Sequence, residues 1–337
     1  MKSISIIIPC RNEEKYIGAC LDSLIATDYP KEHLLILVCD GCSNDSTPEI
    51  VAEYERKYEY IKLLKNKMQT TPYGLNMGIQ YKNSDICIIL GAHSTVAQDF
   101  ISENCKALFS DTRIGCAGGI LENSYENHRS KIIGFAMSNP FGVGNAYFRT
   151  GEKEGFVDTV AFGSYKQEVF QKIGYFDELL TRNQDDEFNF RLKKAGFEIF
   201  LTPKIKSFYV VRSNFKHLFR QYFQYGYWKV FVNKKHKMIT SLRQMVPFLF
   251  TLFLIFGFLG SLFIQNFVYL YLSILFIYIV LGFIFAKKQS HSFSDCLQII
   301  YTFWILHISY GLGYIEGIFD FYICRKKPKS RAEKLSR

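Results

Sequence analysis

The stretch from Arg182 to Arg191 reads RNQDDEFNFR and sets three carboxylates side by side, at Asp185, Asp186 and Glu187. Carboxylates this close raise one another's pKa, a property that suits a general base or a cation ligand. Acidic residues in the first turn of a helix are also stabilised by the helix dipole. The stretch alone therefore leaves two interpretations open, a reactive carboxylate or the solvated start of a helix.

Short apolar runs alternate with helical stretches in the N-terminal part of the chain. The runs cover 4–8, 34–39, 61–64 and 86–90, and the helical stretches between them cover 14–26, 47–58 and 73–81. This order predicts an α/β fold with an open, mostly parallel sheet. Ligands of such sheets bind outside the carboxyl ends of the strands, where residues 9–13, 40–45 and 91–94 lie. Neither GxGxxG nor a P-loop motif follows the first run, which argues against dinucleotide oxidoreductases and P-loop enzymes.

The alternation weakens after about residue 116. A loop region rich in glycine, asparagine and aromatic residues covers 123–155, short strands are predicted over 157–162, 197–201 and 205–210, and the acidic stretch opens a helix that ends near residue 196. An aromatic and basic stretch from Asn214 to Lys237 follows. It suits a helix that lies on a membrane surface, and it equally suits an ordinary amphipathic helix that covers the core.

Two uncharged runs, Val246 to Ile264 and Phe267 to Ala286, have the length of about 20 residues that spans the hydrocarbon of a bilayer. We therefore expect two adjacent transmembrane helices. A third uncharged run, Cys296 to Ile315, contains His307 and two glycines, and acidic residues follow it closely. This run either spans the bilayer or lies at its interface.

The net charge of +10 would raise nucleic acid as a partner, but basic residues crowd beside the apolar runs, at 234–243, 287–288 and 325–329. Lysine and arginine beside apolar spans mark the cytoplasmic side, so a membrane explains the charge without a nucleic acid. The N-terminal domain is then expected in the cytoplasm. The third basic cluster favours an even number of crossings, with the third run re-entrant or flat.

The start of the chain, MKSISIIIPCRNEE, has an apolar core too short for a signal peptide, and the nine cysteines are expected as reduced thiols. Cys39 and Cys42 form a CxxC pair without the second pair that a structural zinc site needs, so packing is the preferred interpretation. The expected organisation is a catalytic domain over 1–212, an amphipathic interface helix over 213–243, a membrane region over 244–324 and a basic tail over 325–337.

The residues at the strand ends carry a resemblance to a known family. IIIPCRNEEKYIGACLDSL, VCDGCSNDST and PYGLNMGI together resemble the nucleotide-sugar half of family 2 glycosyltransferases with the GT-A fold. VDTVAFGSYKQEVFQKIGYFDE, RNQDDEFNFRLKKAGF and RQYFQYGYWK are similar to the membrane-attached members that build bacterial exopolysaccharides, notably the succinoglycan-type glucosyltransferases. The resemblance covers nearly the whole chain in order.

The resemblance implies roles for the donor side of the site. In the family, the acidic residue after the first strand and the aspartate after the second hold the uridine of a UDP-sugar, which here points to Glu13 and Asp40. Pro9, Arg11 and Asn12 belong to the same first turn and are assigned to donor binding with them. Because Asp-Gly is a turn dipeptide, Asp40 also has a purely structural interpretation, and Asp45 is assigned to capping the second helix.

The resemblance also identifies the base. The family's base is an aspartate followed six positions later by arginine, a spacing that Asp185 and Arg191 keep. Asp185 is therefore expected to take the proton of the acceptor hydroxyl as that hydroxyl attacks the anomeric carbon, with Arg191 and the adjacent charges orienting it. Asp186 is assigned to the acceptor side and Glu187 to a supporting role.

QYGYW, from Gln224 to Trp228, stands where relatives have QxxRW, a stretch that borders the acceptor site. Gln224 and Trp228 can bind a sugar through a hydrogen bond and an apolar ring face. Trp228 is alternatively a membrane-interface anchor. Tyr227 replaces the family's arginine, which weakens a role in binding UDP and argues against a processive synthase.

The largest departure from the family is at the fourth strand. Relatives have Asp-x-Asp there to hold Mg²⁺ or Mn²⁺ against the diphosphate, whereas this chain has Gly91-Ala92-His93. The Gly91 to His93 turn is still assigned to the donor, and three outcomes stay open. A divalent cation binds through His93, the diphosphate and water, or arginine and lysine supply the positive charge, or activity has been lost.

The function implied is an inverting transferase on the cytoplasmic face of the bacterial inner membrane. It would move a sugar from a UDP-sugar to a lipid-linked, polyprenyl-diphosphate oligosaccharide in capsule or exopolysaccharide assembly. The alternatives are an inactive glycan-binding or scaffold subunit of a polysaccharide assembly complex and a processive polysaccharide synthase. The latter needs more spans and an intact QxxRW.

Overall fold

The structure is a computed structural model that describes residues 1–151, 153–211, 213–239 and 242–326. The chain forms two compact units, of which unit 1 comprises Met1–Ser124 and Tyr147–Val210, and unit 2 comprises Tyr125–Ala146 and Val211–Arg337. The segment Tyr125–Ala146, which the sequence analysis kept within the 1–212 domain, thus groups with the membrane-region helices. Residue 212 and most of the basic tail predicted over 325–337 lie outside the described residues.

The elements follow the alternation that the sequence predicts in the N-terminal half. The strands are β1 (Ile4–Cys10), β2 (Leu34–Asp40), β3 (Ile61–Lys65), β4 (Ile86–Ile89), β5 (Ser94–Val96), β6 (Ile114–Ser124), β7 (Gly155–Val157), β8 (Ala161–Lys166) and β9 (Glu198–Val210). The helices of unit 1 and unit 2 in chain order are α1 (Ile17–Ile25), α2 (Thr47–Lys57), α3 (Thr71–Tyr81), α4 (Phe100–Leu108), α5 (His128–Met137), α6 (Pro140–Val143), α7 (Tyr147–Thr150), α8 (Gln167–Ile173), α9 (Gln184–Lys194), α10 (Phe215–His236), α11 (Val246–Phe263), α12 (Gln265–Lys287) and α13 (Phe293–Ile318).

The first half of the unit 1 sheet is parallel, as expected. β1 pairs in parallel with both β2 and β4, and β2 pairs in parallel with β3. Cys10 lies opposite Asp40 in the β1–β2 register. Because carboxyl ends of neighbouring parallel strands meet at one edge, the turns after β1, β2 and β4 open at the same edge of the sheet.

The second half of the sheet is mixed, and its strands differ from the predicted ones. The described strands run in the order β3-β2-β1-β4-β8-β6-β9-β5, with β7 also on β9. The strand predicted over 157–162 is split between β7, which pairs with β9, and the start of β8, which pairs with β4 and β6. The two strands predicted over 197–201 and 205–210 form the single strand β9, whose pairing with β6 shifts register twice.

Apolar side chains cover both faces of this sheet. Ile6 and Ile8 pack with residues of α1, α2 and α4 in one core cluster, whereas Ile7 packs with residues of α3, α8 and α9 in another. Alternate residues of a strand point to opposite faces, so β1 contributes to both clusters. Because packed side chains cover both faces of the sheet, the site residues lie at its edge.

The described residues of unit 2 form mainly helices, and three of these helices are long and apolar enough to cross a membrane. These candidate spans are Leu242–Phe263, Gln265–Lys287 and Phe293–Ile323. In the most apolar 18-residue stretch of each helix, 17%, 11% and 61% is buried within the protein, respectively. The third predicted run therefore forms an unbroken helix, α13, that packs against α10, α11 and α12. Its prediction as re-entrant or flat stays a prediction.

The two helices α10 and α13 approach each other closely at glycines. A Cβ on Gly226 would lie 2.0 Å from the carbonyl oxygen of Tyr310, and one on Gly313 would lie 2.0 Å from that of Phe223. Gly226 is the middle residue of QYGYW. Small residues let helix backbones pack at short distance, so this motif belongs to a helix contact within unit 2.

Candidate active site

The turns after β1 and β2 are tied together by direct hydrogen bonds. The side chain of Asn12, a residue with a left-handed φ of 56°, accepts a hydrogen bond from the backbone N–H of Asn44 at 2.8 Å. The backbone N–H of Asn12 in turn donates to the Ser43 hydroxyl at 2.8 Å. Asparagine tolerates the left-handed region better than most residues. Here the side chain of Asn12 also links the turn after β1 to the turn after β2.

The two predicted uridine-binding acids lie in these turns and are largely buried, with 8% of Glu13 and 5% of Asp40 exposed. The carboxylate of Asp40 accepts hydrogen bonds from the hydroxyl of Ser43 and from its backbone N–H, the latter at 3.1 Å. These bonds fix its orientation. Asp40 is thus both a turn residue, as its structural interpretation requires, and a preoriented acceptor at the sheet edge.

His93 joins the β4 end of the edge to the β1 end. Its Nδ1 lies 3.3 Å from Oε1 of Glu13, while the backbone N–H of Glu13 donates to the Thr47 hydroxyl at 2.8 Å. The His93 ring also meets the ring of Tyr209 edge-on, with centroids 5.1 Å apart. The structure therefore brings Glu13, Asp40 and His93 to one edge, as the sequence predicts.

The remaining donor-side residues are arranged around this edge. Pro9 lies in β1, and Arg11 follows that strand and is partly exposed. A Cβ built on Gly91 would lie 3.2 Å from a ring carbon of Phe162, closer than ordinary van der Waals contact. A side chain at position 91 would therefore require the ring of Phe162 to shift slightly.

The acidic stretch forms the first turn of α9, as predicted, and its members face different surroundings. Asp185 is exposed, Asp186 is half-buried and Glu187 is fully buried. Burial raises the pKa of Tyr165 well above its usual value, and Cys116 and then the Asp185 carboxylate add to this rise. Asp185 therefore lies within electrostatic range of a buried phenol while its own carboxylate stays open to solvent.

Arg191 is held by Glu187. Its Nε lies 3.0 Å and 3.1 Å from the two carboxylate oxygens of Glu187, and its Nη2 lies 3.0 Å from Oε2. Nη1 and Nη2 also donate to the backbone carbonyls of Ile173 and Tyr175, at 2.6 Å and 2.7 Å. These contacts give Arg191 a structural role, fastening α9 to the end of α8; its orienting of Asp185 stays a prediction.

The predicted acceptor residues of QYGYW lie on α10 in unit 2. Only 2% of Gln224 and none of Trp228 is exposed. The indole packs against the rings of Tyr227, Phe231 and Phe321, and the hydroxyl of Tyr227 donates to Asp320 at 3.1 Å. The ring faces of Trp228 thus contact protein, and a direct role in sugar binding or lipid anchoring stays a prediction.

Two smaller predictions concern the turn after β2. Asp45 stands one residue before the N-cap, Ser46, whose own side chain makes no capping bond, and it accepts a hydrogen bond from the backbone N–H of Thr47, the first residue of α2, at 3.1 Å. Cys39 is buried in the core, where burial raises the pKa of its thiol to about 12. A thiol that stays protonated is a poor metal ligand, which agrees with packing for the CxxC pair.

The residues at the family's metal position do not form the usual carboxylate site. Among the described residues, no group of three or more histidine, cysteine, aspartate or glutamate side chains could hold a metal ion. At the turn itself Gly91 brings no ligand, and Nδ1 of His93 faces Glu13. A cation of the hard kind takes several oxygen ligands, and these side chains do not supply them.

Several buried polar atoms lie near the site without a partner. In the part of the chain that the structure describes, they include Oγ of Ser94, Nη1 of Arg149, Oγ1 of Thr150 and Oε1 of Gln184. Buried polar groups are nearly always paired, so such a group marks a place where a ligand can bind. The sequence analysis did not single out these residues; for Arg149, its place directly after two aromatic residues in YFRT is the signal that was available.

Comparisons with known proteins agree with this arrangement. The model of the family described as glycosyl transferase family 2 matches residues 5–174. Over 234 residues the chain is 37% identical to the dolichyl N-acetyl-alpha-D-glucosaminyl phosphate 3-beta-D-2,3-diacetamido-2,3-dideoxy-beta-D-glucuronosyltransferase of Methanococcus voltae, a match that covers 67% of this chain and 72% of that protein. It is 29% identical over 247 residues to the succinoglycan biosynthesis protein ExoA of Rhizobium meliloti, covering 72% of this chain and 73% of that protein.

A solved structure shares the fold. The mannosyltransferase PcManGT from Pyrobaculum calidifontis, in complex with GDP-Man and Mn²⁺, superposes with a TM-score of 0.65 at 15% identity and covers 95% of this chain and 88% of that chain. At this identity the likeness shows the GT-A fold and nothing finer. Together with the family match over half of the sequence, it leads to one conclusion: the chain is a glycosyltransferase and belongs to glycosyl transferase family 2.

Proposed function

We propose that this enzyme is an inverting glycosyltransferase that moves a sugar from a UDP-sugar to a lipid-linked, polyprenyl-diphosphate oligosaccharide. The observation that carries the proposal is the sheet edge at which Glu13, Asp40 and His93 meet, in a unit that also carries the exposed carboxylate of Asp185. The names of two relatives, a dolichyl-phosphate sugar transferase and a succinoglycan biosynthesis protein, support the acceptor class and the pathway of exopolysaccharide or capsule assembly.

The donor binds along this edge. Asp40, preoriented by Ser43, and Glu13 accept hydrogen bonds from the uridine, with Pro9, Arg11 and Asn12 lining the same turn. Gly91 and His93 lie toward the diphosphate. This order places the nucleoside beside the tied turns after β1 and β2 and directs the anomeric carbon away from them.

Asp185 acts as the general base. Its carboxylate takes the proton of the acceptor hydroxyl as the hydroxyl oxygen bonds to the anomeric carbon, and the bond from that carbon to UDP breaks on the opposite side. UDP leaves with the electron pair, and the anomeric configuration inverts. Asp186, Gln224 and Trp228 are proposed to bind the acceptor.

The membrane fixes where the reaction takes place. The candidate spans hold the enzyme at a bilayer, and the basic residues after α10 and at the end of α12 favour the cytoplasmic face of the cell membrane. An acceptor with a polyprenyl tail cannot leave this bilayer. The transferase and its substrate therefore share one surface, at which further proteins of polysaccharide assembly are proposed partners.

The test uses the full chain in purified membranes, with labelled UDP-sugars and an extract of lipid-linked acceptor, with and without EDTA. We expect transfer from one UDP-sugar and a fall of about 10²- to 10⁴-fold in turnover for Asp185→Asn. Asp158→Asn is the matched control, because Asp158 is another exposed carboxylate of unit 1, paired with Lys193. Transfer that persists in Asp185→Asn contradicts the base assignment.

Other outcomes separate the alternatives. Glycan binding without transfer or hydrolysis of any donor identifies a scaffold subunit. This alternative stays open because position 91 lacks the family's carboxylate. Long polymer products identify a processive synthase. Loss of transfer with EDTA identifies a divalent cation held by His93 and the diphosphate.

A further inference from the structure

Arg149 lies close to the turn that has lost its carboxylate. It belongs to α7 in unit 1, and its Cζ lies 5.7 Å from the ring centroid of Tyr209. The same Tyr209 ring contacts the ring of His93 at 5.1 Å. A guanidinium thus packs on the same aromatic ring that contacts His93, near the end of β4.

The guanidinium has hydrogen-bonding capacity to spare. Within the described ranges, which omit residue 152, its Nη1 is buried and has no hydrogen-bond partner, and the same holds for the hydroxyl of Thr150 beside it. Ser94, next to His93, carries a third such hydroxyl. Buried donors without acceptors are costly, so this region is complete only when an acceptor-rich ligand binds.

The chemistry of the donor matches these groups. A diphosphate offers only acceptor oxygens and negative charge, and the planar fork of a guanidinium pairs with two of those oxygens at once. As the bond to the anomeric carbon breaks, negative charge grows on the diphosphate, so a fixed positive charge there favours the transition state. At the position of the family's Asp-x-Asp motif, this chain has no carboxylate to hold a cation, because residue 91 is a glycine and residue 93 is a histidine.

We propose that Arg149 binds the diphosphate of the nucleotide-sugar donor and supplies the positive charge that a carboxylate-held metal ion provides in relatives, with the hydroxyls of Thr150 and Ser94 as further donors. The inference rests on the proposed function, because it takes the donor to be a nucleoside diphosphate sugar. It adds that the enzyme binds the diphosphate of the leaving UDP without a metal ion.

The test measures binding of UDP and of uridine to the detergent-solubilised full chain in EDTA. Arg149→Ala is expected to weaken UDP binding roughly 10- to 100-fold, the effect of losing a charged hydrogen-bonding partner. Uridine affinity is expected to change less than about 3-fold, because uridine has no phosphate for Arg149 to bind. Arg149→Lys, which keeps the charge and loses the fork, is expected to lie between Arg149→Ala and the wild type, and it serves as the test variant if Arg149→Ala does not fold.

Arg113 provides a matched control. Its guanidinium also stacks on an aromatic ring, that of Phe156 at 5.0 Å, but it precedes β6, at the opposite end from the site edge of unit 1, and pairs with Asp111. Arg113→Ala is expected to leave UDP affinity unchanged. Thermal unfolding of each variant shows whether it is folded under the binding conditions.

The lipid-linked acceptor also carries a diphosphate, so the assay has a second arm. If Arg149→Ala leaves UDP affinity intact and raises KM for the acceptor, the arginine binds the acceptor and the inference is wrong. EDTA that abolishes UDP binding by the wild type also overturns it, because a metal then holds the diphosphate. A wild type that binds neither UDP nor uridine and transfers no sugar contradicts the proposed function itself.

Discussion

The two halves of the proposed donor site differ in how their polar groups are paired. In the turns after β1 and β2, Asn12, Glu13 and Asp40 make hydrogen bonds within the protein. Around the end of β4, Ser94 and Arg149 carry buried atoms that have no partner among the described residues. The turns proposed to bind the nucleoside are therefore held by bonds within the protein, whereas the region proposed to bind the diphosphate keeps buried polar atoms with which the ligand would pair.

A contrast in burial exists within one turn of α9. Glu187 is fully buried and held by Arg191, whereas Asp185, two residues earlier, is exposed at the surface of the helix. Buried groups that are paired within the protein should then govern stability, and the groups proposed to contact substrates should govern binding and turnover. Three substitutions test this division, and the Asp185 and Arg149 variants described above test its functional side.

The largest effect on stability is expected for Arg191→Leu. This change leaves the buried carboxylate of Glu187 without its charged partner, a loss that costs about 3–5 kcal/mol. The midpoint of thermal unfolding of the full chain in detergent should fall clearly. The double variant Arg191→Leu/Glu187→Leu removes both charges and should recover much of that stability. An unchanged midpoint in the single variant would show that the ion pair does not hold α9.

An intermediate effect is expected for Asp40→Ala, which removes an acceptor that is proposed to bind uridine. Uridine affinity should fall roughly 10- to 100-fold, as for the loss of a hydrogen bond to a charged group. Ser43→Ala is the control, because it keeps the carboxylate while removing the hydroxyl's bonds to Asp40 and from the Asn12 backbone N–H, and it should cost about 1–3 kcal/mol of stability. Equal losses of affinity in both variants would mean that Asp40 serves the turn and not the ligand.

The smallest effect is expected for Ser94→Ala. Since the buried hydroxyl has no partner in the described structure, its removal should leave the free energy of unfolding within about 0.5 kcal/mol or raise it slightly. UDP affinity should fall only by about 2- to 10-fold, the share of one neutral hydrogen bond. A marked loss of stability would place Ser94 with the satisfied groups and weaken the contrast between the two halves.

Much of the nucleoside side could be predicted from the sequence, because its rules are local. The alternation of apolar runs and helices gives parallel strands, and parallel strands bring Glu13, Asp40 and His93 to one edge. The capping role of Asp45 follows from its place before α2. Each of these inferences needs only a short stretch of chain.

The diphosphate side could not be predicted in this way. Arg149 comes near His93 only through Tyr209 of β9, so its position depends on pairing between distant strands. The split between β7 and β8 reflects their different pairing partners, β9 for the first and β4 and β6 for the second. These features follow from tertiary packing, and no local pattern reports them.

The ion pair between Glu187 and Arg191 could have been predicted from the spacing of the two residues, but the sequence analysis did not predict it. Glu187 and Arg191 are four residues apart, which puts them on the same face of a helix, whereas Asp185 and Arg191 are six apart and diverge. The spacing of the family motif relates Asp185 to Arg191. Helix geometry instead favours the pair of Glu187 and Arg191.

The packing of α5 and α6 on α13 has a consequence for the order in which the chain folds during its synthesis. His128 of α5 bonds to Asp295 of α13 at 2.9 Å across 167 positions of sequence. At about 5–20 residues per second, the ribosome makes Asp295 roughly 8–30 s after His128. Until Tyr278 and Phe303 have also been made, Phe141 lacks the two rings that contact it in the folded protein. Slower translation between these segments lengthens the time for which Phe141 stays without these partners.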